Sequence, residues 1–242
     1  MLYMSGSWFL IVLILISSLP VVAVYIWFRI AKYQISLVQF LFALLAGAAA
    51  VFPALILRGL LTFSYFSHGR IAVFYNFFIK IAFSEELSRL IMLFIFFFIF
   101  LRAKSNADDS QSSVLNIIKQ GTAIGLVAGL GFAILESATY TASDMSVTFV
   151  LLRILTAVLH GACSSRVGSA VLMFRKNPIQ ALMRFFTAVA IHGVYDLMVR
   201  IPGLPSIMAI LIAFSAITTT ILSIRSGWES VGISVDNPDE NQ

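Results

Sequence analysis

Seven stretches of this chain stay apolar for about 20 residues each, the length a helix needs to cross the hydrocarbon core of a bilayer. The pattern predicts spans at 8–28, 37–57, 77–101, 121–142, 147–173, 181–201 and 204–224. Apolarity runs continuously along each stretch, without the period-two alternation of a membrane barrel. The expected fold is therefore all-α, a polytopic bundle of about seven transmembrane helices around a polar intramembrane cavity. An amphipathic stretch, Ile71 to Ala82, leads into the third span and is expected partly in the interface. Trp8 to Phe28 is longer than a signal-peptide core and has no positive residue before it, so it reads as a retained first span. Residues 1–225 form one transmembrane domain; the polar loop 103–113 and the tail 226–242 contain no recognisable module.

Composition agrees with the pattern. Of 242 residues 60% are hydrophobic and 11% charged, where a soluble domain carries about 25% charged. The net charge of +5 is spread over the connections without a block of like charge, which argues for the bilayer and against nucleic acid as partner. Arg29, Lys32, Arg102, Lys104, Lys119, Arg175, Lys176, Arg184 and Arg225 fall on one side, and Arg58, Arg70 and Arg200 on the other. Positive charge favours the cytoplasmic side, so the N-terminus is expected outside and the C-terminus in the cytoplasm. The single cysteine, Cys163, excludes an internal disulfide or a CxxC metal site and reads as a packed core side chain.

Into four of these spans the chain sets Glu85, Glu86, Glu136, His160 and His192. Charge at mid-helix costs about 2.5–3.5 kcal/mol on insertion scales, so such groups face one another or a wet cavity. Glu85 can pair with Arg89 at i, i+4 and Glu86 reaches it at i+3. Successive residues stand about 100° apart, so one Glu is expected on Arg89 and the other towards the cavity. Gly125, Gly129, Phe132 and Glu136 share a stripe, and glycines at this spacing let helices approach closely in lipid, which puts Glu136 on a packed interior face. Arg153, His160, Ser164 and Gly168 share a face of the fifth span. Arg153 either belongs to that face or snorkels to the headgroups; Arg166 points elsewhere and reads as structural. His192 and Asp196 are one turn apart, so the carboxylate can orient the imidazole. A lone mid-helix His is usually a packed core residue. Two with three Glu point to chemistry inside the membrane, at depths between the midplane and the external surface.

In chain order, Glu85-Glu86-x2-Arg89, Phe132-x3-Glu136, His160 and His192-x3-Asp196 resemble the PrsW family of membrane-embedded proteases. That family is distantly akin to the type II CAAX prenyl endopeptidases and bacteriocin-processing proteins. The likeness covers about residues 77–201, the expected catalytic core. Arg89 stands where the family more often has Lys, which keeps the charge and changes the geometry. The resemblance implies an endopeptidase acting on a membrane-anchored protein, such as site-1 cleavage of an anti-sigma factor. It implies Glu85, Glu86, Glu136, His160 and His192 as catalytic, with Arg89 and Asp196 supporting.

Peptide hydrolysis needs an activated water, a stabilised oxyanion and a proton for the leaving amine. Glu85 or Glu86, with His160, would activate water. His192 beside Asp196 would stabilise the oxyanion or protonate the leaving nitrogen, and Glu136 would be a second acid–base or an orienting group. Analogy with the CAAX-type enzymes makes the first Glu the base; pairing of Glu85 with Arg89 makes it Glu86. This scheme commits to no cofactor. Zinc is its variant, held by His160, His192 and Glu86 or Glu136, although no HExxH occurs. The rival class is a proton-coupled transporter or channel using the same buried cluster as a relay, without a visible repeat between halves.

Overall fold

The computed structural model describes residues 6–33, 35–62, 69–101, 111–139, 147–201 and 203–232, and every regular element among them is helical. In chain order these are α1 (Gly6–Ile30), α2 (Leu37–Ala49), α3 (Val51–Leu60), α4 (Gly69–Phe74), a π-helix (Tyr75–Phe83), α5 (Ser84–Leu101), α6 (Gln111–Ala138), α7 (Val147–Met173), α8 (Pro178–Arg200) and α9 (Leu204–Gly232). Six rods are long and apolar enough to cross a membrane: α1, the α2–α3 pair, α6, α7, α8 and α9. The seventh is the continuous helical stretch 69–101 made by α4, the π-helix and α5. Its apolarity is interrupted where α5 opens with Glu85, Glu86 and Arg89.

Local chemistry sets several ends. Ser36 and Gln39 form a capping box at the start of α2, each side chain accepting from the other's backbone N–H at 3.1 Å. Asn177 caps α8 by accepting from the Gln180 N–H at 3.0 Å, and Pro178 occupies a first-turn position that needs no amide partner. α8 therefore begins three residues before the apolar run does. Three further boundaries differ from the hydropathy reading. Residues 111–113 of the expected loop are the first turn of α6, α6 ends at Ala138, and α9 runs on through residue 232 into the expected tail. Hydropathy reports contact with lipid, whereas a helix continues for as long as its backbone bonds close. The remainder of the loop and tail lies outside the described residues. Ile71 to Ala82 is helical throughout and feeds α5 without a break.

α6 is the central helix, mostly buried, packed chiefly on α7 and then on α2 and α1. Its glycine stripe explains the closeness. A Cβ at Gly129 would press on the His160 carbonyl and lie 2.7 Å from the Gly161 Cα; one at Gly125 would lie 2.9 Å from the Ser165 Cα. Gly47 of α2 meets the α6 backbone at Ala128 in the same way. Around these backbones Leu93, Leu126, Val127, Leu159 and Cys163 form the apolar core. Outward, large apolar side chains such as Phe94, Phe98, Leu211 and Phe214 are exposed, as lipid-facing surface should be. Tyr33, in the first connection, donates to the Ile224 carbonyl at 2.8 Å, and burial pushes its phenol up to about 12.

Candidate active site

The π-helix ends against Ser84, whose hydroxyl donates to the carbonyls of Lys80 at 2.6 Å and Ile81 at 2.9 Å. Wide turns of this kind recur at functional sites. The next two residues, Glu85 and Glu86, enter the bundle interior at 1% and 0% exposure. One Glu was expected on Arg89 and the other away from it. Instead Arg89 serves both: Nη2 lies 2.7 Å from Glu86 Oε1 and 3.3 Å from Glu85 Oε2. The long guanidinium folds back along the helix and spans the angle between the two side chains. Its Nη1 donates to Ser164 Oγ at 3.2 Å, and its face rests 4.4 Å above the Phe132 ring. The Phe of Phe132-x3-Glu136 is thus the floor beneath this cation, and it also packs on the His160 ring at 5.2 Å.

Each imidazole is tied to a carboxylate through one nitrogen. His160 Nε2 lies 3.0 Å from Glu136 Oε2, and His192 Nδ1 lies 2.8 Å from Glu86 Oε1. An ionised carboxylate only accepts, so in the tautomer that satisfies both of these bonds His160 Nδ1 and His192 Nε2 are the nitrogens left free to bind a cation. Both of these nitrogens lie near one atom. Glu85 Oε2 is 3.9 Å from His160 Nδ1 and 3.6 Å from His192 Nε2. The ligand atoms of Glu85, His160 and His192 all lie within 4.8 Å of one another, a group able to hold a metal ion. The third member expected for such a set was Glu86 or Glu136, yet each of these grips one imidazole from its far side. Glu85 occupies the shared position. Asp196 Oδ2 stands 3.5 Å from His192 Nε2, its side chain 22% exposed, at the open edge of the cluster. Glu86 Oε2 is buried with no hydrogen-bond partner among the described residues.

All five expected catalytic residues and both supporting ones therefore meet in one cluster. Two charged neighbours join them, of which the sequence reading had offered only Arg153 a place, on the face shared with His160. Arg58, counted there only as a topology-setting charge, reaches from α3 to form an ion pair with Glu85 Oε1. Arg153 neither snorkels nor stands alone: Nη2 lies 3.4 Å from Glu136 Oε2 and donates to Ser137 Oγ at 2.8 Å. Ser17 of α1 donates to that same hydroxyl at 2.7 Å. The shared face of Arg153 and His160 was the available signal for Arg153; Arg58 offered none, because its partner is on another rod. Arg166 is indeed apart, donating to Ala162 O and Thr219 Oγ1.

Fold and cluster together define an integral membrane protein with acids and bases concentrated inside its helical bundle. The family model described as PrsW family intramembrane metalloprotease matches residues 36–221, which include every residue of the cluster. The chain belongs to the PrsW family, and is by that membership an intramembrane protease. The match extends the likeness beyond 77–201 to take in α2 and α3, from which Arg58 comes. No curated protein and no solved structure matches the chain.

Proposed function

We propose that this protein is an endopeptidase that cuts a membrane-anchored protein within the bilayer, with Glu85, His160 and His192 holding a divalent cation of the zinc class. The grouping of His160 Nδ1, His192 Nε2 and Glu85 Oε2 about one point carries this reading. Two His and one Glu are a donor set of catalytic zinc, and Glu136 and Glu86 supply the outer carboxylates that fix tautomer and ring orientation in such sites. A bound cation of this kind polarises a carbonyl and acidifies water. The chain's own groups supply the remainder. Asp196 Oδ2, 3.5 Å from His192 Nε2 and so on the cation's side of that ring, is the carboxylate placed to take the proton of the attacking water and return it to the leaving nitrogen. Arg89 holds Glu86 in place from the other side. Asp196, at the exposed edge, faces the arriving substrate strand.

Arg89 also favours a second reading. Its Nη1 lies 3.2 Å from His160 Nδ1, on the lone pair a cation would use, and adds positive charge to the donor set. Without a metal, Glu85 Oε2 takes a proton from water between the two imidazoles and returns it to the leaving nitrogen, while His192 in its imidazolium form donates from Nε2 to the oxyanion. The deciding experiment uses full-length enzyme in proteoliposomes with a single-span substrate, for which an anti-sigma factor is the first choice. Loss of cleavage on chelation, restored by zinc, supports the first reading; undiminished turnover of metal-free enzyme supports the second. Proton flux without cleavage of any single-span substrate would overturn both. The distribution of basic connections supports an external N-terminus and a cytoplasmic C-terminus, and with that orientation the cluster belongs to the external half of the membrane.

A further inference from the structure

A separate polar cavity lies in the opposite half of the bundle from Glu136 and Asp196. It has a volume of about 330 Å³, is bordered by α6, α7, α8 and α9, and is open on one side. Six hydroxyls line it, those of Thr122, Ser165, Thr187, Thr219, Thr220 and Ser223, together with the guanidinium groups of Arg166 and Arg184; no carboxylate does. Arg166 Nη2 donates to Thr219 Oγ1 at 2.6 Å and Nη1 to the Ala162 carbonyl at 2.7 Å. Arg184 Nη1 donates to Ser169 Oγ at 3.0 Å. All these partners are neutral, and neither arginine has an acidic partner among the described residues. Cations buried between spans ordinarily pair, and here Arg166, within its span, and Arg184, near the end of α8, face one cavity with neutral partners only.

We propose that this cavity binds a phosphate-bearing anion, with a phospholipid headgroup as its source. Planar guanidinium forks match phosphate oxygens, the hydroxyls supply further donors, and the volume falls at the lower end of ligand sites, about 300–1,000 Å³. The lipid source follows from what adjoins the cavity. A second hollow of about 410 Å³ shares Arg166 and Thr219 with it and is walled by Ile191, Met208, Leu211 and Ile212. A charged chamber opening onto an apolar groove suits a headgroup followed by an acyl chain. Lys119 near the start of α6 and Arg175 and Lys176 between α7 and α8 belong to the same end of the bundle, and basic pockets between spans at such ends take anionic lipids. The site does not depend on the protease chemistry above.

Native mass spectrometry of the full-length protein, released from detergent after exchange into phosphatidylglycerol or phosphatidylcholine, tests it. Wild type should retain phosphatidylglycerol preferentially. The double variant Arg166→Gln, Arg184→Gln should retain at least about ten-fold less, in line with the loss of two charge-assisted contacts. Ser223→Phe keeps both arginines and narrows the cavity's open edge, so it should weaken lipid retention; Arg184→Gln alone decides the matter if the double variant does not fold. Inorganic phosphate is the second probe. Thermal stabilisation by phosphate that vanishes in Arg184→Gln, without lipid preference, would support the anion site with a soluble ligand. Equal lipid retention in wild type and variants, with no arginine-dependent phosphate effect, would overturn the proposal.

Discussion

Glu85 and Glu136 are both carboxylates within reach of His160, yet they stand in different relations to it. Glu85 Oε2 lies on the Nδ1 side of the imidazole, whereas Glu136 holds Nε2. Glu85→Gln, His160→Ala and His192→Ala should therefore bring cleavage of a single-span substrate to background. Glu136→Gln should lower the initial rate by about 10–100-fold, the usual effect of losing an outer-shell partner. Circular dichroism and retention in the membrane would confirm that each variant folds. A loss at Glu136 equal to that at Glu85 would move Glu136 into the reacting set. At this scale the sequence was informative about identity and weak about roles. Spacing along one helix tells which residues share a face, so Glu136, His160, His192 and Asp196 could be found. It says nothing about which nitrogen meets which oxygen across helices, so the shared position of Glu85 emerged only from the packed rods.

Among the elements, the rod 69–101 shows most clearly why pattern and structure part company. Its apolarity located it, but its charges made it the least membrane-like of the seven, and the π-helix that precedes the Glu pair leaves no hydropathy signature. Its tie to α3 was equally hidden: Arg58 sits at the end of an apolar run, where a charge ordinarily marks topology. Here it pairs with a buried carboxylate. Removing one partner of a fully buried pair costs about 3–5 kcal/mol. Arg58 is 28% exposed and Arg89 also compensates Glu85, so Arg58→Ala should cost less, about 1–2 kcal/mol, seen as a lower Tm and slower cleavage. Arg58→Lys should recover most of the stability. Unchanged melting in Arg58→Ala would mean that the pair contributes nothing to joining these rods.

For the whole molecule, the number of rods and their order were legible because lipid imposes a minimum apolar length on each. Their ends were less so, as the early start of α8 and the long continuation of α9 show. Orientation remains the most exposed expectation and has a direct test. In a Cys163→Ser background, Asp108→Cys should be labelled only from the cytoplasmic side and Asp144→Cys only from outside. Product ends mapped by mass spectrometry should then place the cut in the external half of the substrate span. Reversed labelling would invert the topology, and a cut in the cytoplasmic half would contradict the depth of the cluster.

The meeting of α6 and α7 bears on any attempt to engineer this protein. Routine stabilisation replaces helical Gly by Ala, for a gain of about 0.8–1 kcal/mol in helix propensity, and Gly125 and Gly129 would head a list of such sites. Here the added methyl group has no room, since it would press on the carbonyl of His160 or of Ser164. α7 could yield only by moving outward, carrying the His160 ring away from Glu85 and Arg89. A substitution ranked favourable for the isolated helix would thus act as an inhibitor built into the fold, without altering a single polar atom of the cluster.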